Sequence, residues 1–152
     1  MSSSPGAGRS ARLLIATDEG FQPIVRAAIE LHDAEPTAVL LVLVGADATF
    51  PFKPRPSTIL VPGMPDGVIA CAPQLDEFGV ASRLASPLGL PGCYDGPVIE
   101  LAELWLKSHE PAELAKIEIR FSAGEETARA IEELGRRLGV ATGVILARGI
   151  SQ

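Results

Sequence analysis

The chain has 152 residues, 47% of them hydrophobic, with a formal net charge of −6, two cysteines and two histidines. That length fits one domain able to bury its own core, and the acidic balance argues against a nucleic-acid partner, which requires a basic face. The cysteines and histidines lack zinc-ligand spacing and are too few for an iron–sulfur cluster, so no metal is expected. The longest apolar run, Thr37 to Gly45, is far short of the ~20 residues of a spanning helix, so no membrane partner is expected. Met1 to Arg12 lacks the apolar middle of a signal peptide. A cytoplasmic chain without a disulfide is therefore expected.

Residues 1–10 are rich in Ser and Gly and read as a disordered tail before a single α/β domain over residues 11–152. Arg12 to Thr17 is a short apolar run and reads as a buried strand. A turn follows, and Pro23 suits the first turn of a helix over Gln22 to His32. Ala38 to Val44 is almost wholly apolar, as in a strand covered on both faces. Prolines 51, 54 and 56 make Phe50 to Pro56 a loop. Thr58 to Val61 reads as extended. Pro65 to Phe78 reads as a helix, with Pro73 marking an alternative start and Gly79 its end.

Ala81 to Ala85 reads as a strand with Arg83 at its middle, and Ser86 to Pro97 as a long loop. Val98 to Ser108 is a helix with Val98, Leu101, Ala102, Trp105 and Leu106 on one face. Ile117 to Ser122 is a strand, Glu125 to Leu138 a helix stopped by Gly139, and Ala141 to Ala147 the last strand. Alternating strands and helices predict a three-layer α/β fold of the Rossmann-like kind. Its mostly parallel twisted sheet would have about five or six strands, with helices on both faces. A ligand of such a sheet lies beyond the strand carboxyl ends, where the strand order reverses.

Ile15-Ala16-Thr17-Asp18-Glu19-Gly20-Phe21-Gln22-Pro23 resembles the strand, turn and helix that open the NAD(P)-binding domain of the ferredoxin reductase-like family. Gly20 and Pro23 keep the family's places. Gly45-Ala46-Asp47 is similar to its second turn, and Gly92-Cys93-Tyr94-Asp95-Gly96-Pro97-Val98 to the loop before its next helix. Ser122-Ala123-Gly124-Glu125 falls at its Cys-Gly-Pro turn, with Ala123 in the place of the Cys. The resemblance spans Arg12 to Ala147 and extends to the electron-transfer subunit of dihydroorotate dehydrogenase. The family's flavin-binding barrel has no counterpart here.

The resemblance implies a nucleotide crevice built from Thr17, Asp18, Glu19, Gly20, Phe21, Gln22, Gly45, Ala46, Asp47, Gly92, Asp95, Gly96, Ala123, Gly124 and Glu125. Backbone N–H groups of Gly20 and Phe21 would hold a diphosphate at a helix N-terminus, and Gly20→Val would abolish binding with the fold intact. Asp18 and Glu19 would repel that diphosphate or simply complement the helix dipole. Asp47 would accept from an adenosine ribose, favouring NAD(H) over NADP(H), or stand as a solvated loop aspartate. Asp95 has a second reading as a helix cap. Lys53 and Arg55 could clamp a phosphate or be surface charge. Cys71 and Trp105 read as core, and Cys93 as a loop thiol. Ser122 has Arg120 where a nucleophile elbow needs Gly, so no hydrolase triad is expected.

Two functions follow. One is an NAD(P)H-binding module of a flavin-dependent oxidoreductase. It would reach FAD or FMN only through a partner flavoprotein or iron–sulfur subunit, with no catalytic residue of its own; a homodimer is also open. The other is a non-catalytic interaction or regulatory domain that kept the fold and lost the cofactor.

Overall fold

The computed structural model describes residues 11–17 and 20–145. The expected tail, Asp18, Glu19 and the end of the last expected strand lie outside them. Strand β1 (Ala11–Thr17) leads into helix α1 (Phe21–Ala34) and strand β2 (Val39–Gly45). Two short strands, β3 (Arg55–Pro56) and β4 (Ala70–Cys71), precede helix α2 (Pro73–Glu77) and strand β5 (Ala81–Ser86). Strand β6 (Tyr94–Asp95), helix α3 (Val98–Lys107) and the single turn α4 (Pro111–Leu114) follow. Strand β7 (Ile117–Ser122), helix α5 (Glu125–Leu138) and strand β8 (Ala141–Val144) complete the order.

Six strands form one sheet in the order β6-β5-β2-β1-β7-β8, and every pairing in it is parallel. The apolar runs explain why. Leu13, Ile15, Leu41, Leu43, Ile119 and Phe121 face α3 and α5, while Leu14, Ala16, Val42, Val44 and Leu84 face α1 and α2. Alternate residues point to opposite faces, so a strand between two helical layers must be apolar at nearly every position. Phe21, Ile24, Val25 and Ala28 fall at helical spacing and turn one stripe of α1 to the sheet. In α3 the stripe is Val98, Leu101, Ala102, Trp105 and Leu106.

Helix α5 is placed by small residues. Gly139 takes the left-handed conformation that ends it (φ 74°). Gly135, inside the helix, lies so near β8 that a Cβ there would sit 2.5 Å from Thr142 Cγ2 and 2.6 Å from the Val140 carbonyl oxygen. Glu125 and Glu126 at its start and Arg136 and Arg137 at its end complement the dipole.

Three expectations need correction. Residues 65–69 are not helical: Ala70 and Cys71 pair as β4, and the helix starts at Pro73, where the missing N–H costs no hydrogen bond. Arg55–Pro56 is not loop but pairs antiparallel with β4, while Thr58 to Val61 belongs to no strand. Asp95 does not cap α3; it sits in β6 opposite Ser86, and Pro97 is the N-cap with no side-chain bond.

Candidate functional site

The strand order reverses at β1, which pairs with β2 on one side and β7 on the other. The turns that follow β1 and β7 therefore meet. Gly124 N–H donates to Thr17 Oγ1 at 3.2 Å, tying the two together. Gly20 is pressed against the Ser122 carbonyl, whose oxygen lies 1.8 Å from where a Cβ would stand. Gly20 is thus a packing requirement, and Gly20→Val would not leave the fold intact. A Cβ at Gly124, by contrast, would meet nothing within 4 Å.

Beyond the carboxyl ends of β1, β2 and β5 lies a crevice of about 150 Å3. Thr17, Gly45, Ala46, Asp47 and Gly96 line it, as the sequence implies. Thr127 in the first turn of α5, Pro87 and Val98 also line it; they lie in or beside the loops that the strand pattern puts at this edge, but no motif singles them out as ligand contacts. Gly45 has a second duty: a Cβ there would meet Val98 Cβ at 2.7 Å, so it lets α3 approach β2. Thr17 is nearly buried, and Asp47 is exposed at the rim.

The other expected residues go elsewhere. The Phe21 ring is buried on the α1 side, 4.9 Å from Phe52, which in turn lies 5.2 Å from Phe50. Gln22 is exposed. Gly92, at φ 78°, accepts from the N–H groups of Ile69 and Ala70, both at 2.9 Å, and lines a different cavity beside Arg55. Ala123 packs on the α3–α5 core. Glu125 pairs with Arg129 at 2.7 Å on the surface. Arg55 is drawn to Glu77 at 3.6 Å. Neither Lys53 nor Arg55 lines the crevice. Cys71 and Trp105 are core, as expected. Among the described residues no group of three His, Cys, Asp or Glu could hold a metal ion. No described helix is long and apolar enough to cross a membrane.

A buried polar network lies away from the crevice. Asp76 on α2 accepts from Ser57 Oγ at 2.7 Å, Thr58 Oγ1 at 3.0 Å and Thr58 N–H at 3.3 Å. Burial pushes its carboxyl up, but hydrogen bonds from Ser57, Thr58 and Cys71 together outweigh this and hold it below the ordinary range. Burial and then the Asp76 charge push the Cys71 thiol up, so it stays protonated. Arg83 is only 4% exposed, and donates to the carbonyls of Ser82 at 2.6 Å and Ile59 at 2.5 Å. Its Nε has no partner. One signal was visible in the sequence: a charge at the middle of an apolar strand.

Strand order, layers and a carboxyl-edge crevice define a Rossmann-like α/β protein. No protein-family model, no curated protein and no solved structure matches this chain.

Proposed function

We propose that the chain is the NAD(H)-binding module of a flavin-dependent electron-transfer oxidoreductase, working with a separate flavoprotein. The observation that supports this reading is the parallel sheet, which brings Thr17, Gly45–Asp47 and Gly96 to one carboxyl edge, with Thr127 of α5 reaching the same crevice from the β7 side of β1. A half-open volume of about 150 Å3 suits a ribose or a phosphate, whereas whole-ligand sites run ~300–1,000 Å3. Asp47 would accept from the ribose hydroxyls and repel a 2′-phosphate, favouring NAD(H). Gly124, at the N-terminus of α5, leaves more room for a ligand than Gly20 does, though its N–H is held by Thr17 and Glu125 and Glu126 follow it. When bound, NADH supplies the hydride, and this chain's residues bind and orient it. Melting with NADH, NADPH and no ligand tests the reading, since a bound ligand raises the melting temperature with its concentration. No shift at millimolar NADH removes it.

The second reading, a non-catalytic regulatory or interaction domain, is favoured by the Gly20–Ser122 contact. That contact accounts for the glycine without any ligand. An NADH shift, with electron transfer appearing once a flavoprotein is added, would remove this alternative.

A further inference from the structure

At the other edge of the sheet, the amino ends of β2 and β5 open into a second cavity of about 400 Å3, within the ~300–1,000 Å3 of small-molecule sites. One side is the start of β2, from Val39 to Leu41; another is the irregular segment 59–62. Trp105 and His109 contribute from the end of α3 and just beyond it. Apart from His109 and His32, the lining side chains are apolar.

The irregular wall is held by polar anchors. Ser57 and Thr58 are fixed on Asp76, the Ile59 carbonyl on Arg83, and the Pro62 carbonyl on Trp105 Nε1 at 3.1 Å. Buried charges are tolerated only when hydrogen-bonded, and here two of them fix a segment without regular structure. The wall is therefore preset before any ligand arrives. Leu60, 92% exposed, stands at its lip with its side chain in water.

The tautomer of His109 follows from its neighbour. Nδ1 lies 2.9 Å from the Trp105 carbonyl oxygen, which can only accept, so Nδ1 carries the proton. With the proton on Nδ1, the acceptor of the uncharged ring is Nε2, and His109 is one of the two imidazoles in an otherwise apolar lining. We infer that this cavity binds a small apolar molecule bearing one hydroxyl donor, a phenol or alicyclic alcohol, whose O–H donates to His109. The site is independent of the nucleotide crevice, and its test needs no NADH.

Trp105 is the sole tryptophan, so its fluorescence reports on this lining. The full chain is titrated with thymol and, separately, with thymol methyl ether, and proton NMR follows the His109 ring. Thymol gives a saturable change, and the ether, lacking the donor, binds about fivefold more weakly. His109→Phe erases the difference between the two probes. Val39→Phe, at a half-exposed lining position, blocks both probes without unfolding the chain. Absence of a saturable response to thymol at its solubility limit overturns the site. So does thymol binding that survives Val39→Phe. Equal affinities for thymol and the ether in the unaltered chain overturn the donor assignment.

Discussion

The carbonyl oxygen of Ser122 occupies the space that any side chain on residue 20 would need, only 1.8 Å from its Cβ position. The turns after β1 and β7 touch through backbone, which cannot rotate aside as a flexible side chain could. Gly20→Ala should therefore force the two turns apart and cost about 2–4 kcal/mol, at or above the usual range for overpacking. Urea unfolding measures it. An unchanged midpoint would show that the turns do not meet in this way.

Asp47 is exposed and lines the crevice. Its replacement by Ala should leave stability within about 0.5 kcal/mol, as for most surface changes. In the nucleotide reading it should weaken NADH binding severalfold and narrow the preference over NADPH. Calorimetric titration of both nucleotides checks it. An affinity for NADH equal to that of the unaltered chain would move the ribose elsewhere.

Asp76 ties α2 to Ser57 and Thr58. Its carboxyl titrates lower in the folded chain than its ordinary value of 3.8. The ionised form is therefore favoured by folding. Its stabilising contribution is complete above the unfolded-state value and is lost as pH falls through the folded-state value. Urea midpoints taken from about pH 6 down to about pH 3 should decline, and Asp76→Asn should flatten part of that decline. Identical pH profiles for the two chains would contradict the assignment. Asp76→Ala should cost about 1–3 kcal/mol at neutral pH, because Ser57 and Thr58 would lose their acceptor.

Gly135 permits the close contact of α5 with β8. Gly135→Ala gains helix propensity but meets Thr142 Cγ2 and the Val140 carbonyl. The clash should win, with a net loss of about 1–3 kcal/mol. Pairing it with Thr142→Ala relieves the side-chain contact and leaves the carbonyl, so recovery should be partial. Full recovery, or a stabilised single variant, would mean that the helix stands further from the strand.

The sheet was legible because burial on two faces leaves a plain mark. Residues 38–44 were expected as a strand and Val39–Gly45 form one. The crevice was legible in part for the same reason: once the strands are parallel, Thr17 and Asp47 must lie at one edge. Gly92 misled because a glycine in a turn looks alike whether it admits a ligand or a neighbouring strand. Strands β3, β4 and β6 have two residues each, too short for any periodicity. The anchoring of Ser57 and Thr58 by Asp76 joins residues that share no local pattern, so only the folded chain brings it out.

Strand β6 pairs with β5 only at Ala85 and Ser86, and earlier in β5 the Arg83 guanidinium takes the Ser82 carbonyl and ties it to the Ile59 carbonyl of the neighbouring segment. A buried cation thus does locally what another strand would do, and it leaves a foreign chain a poor template for joining the sheet. A neutral replacement of similar bulk could keep the fold yet turn that flank into a seam where copies adhere.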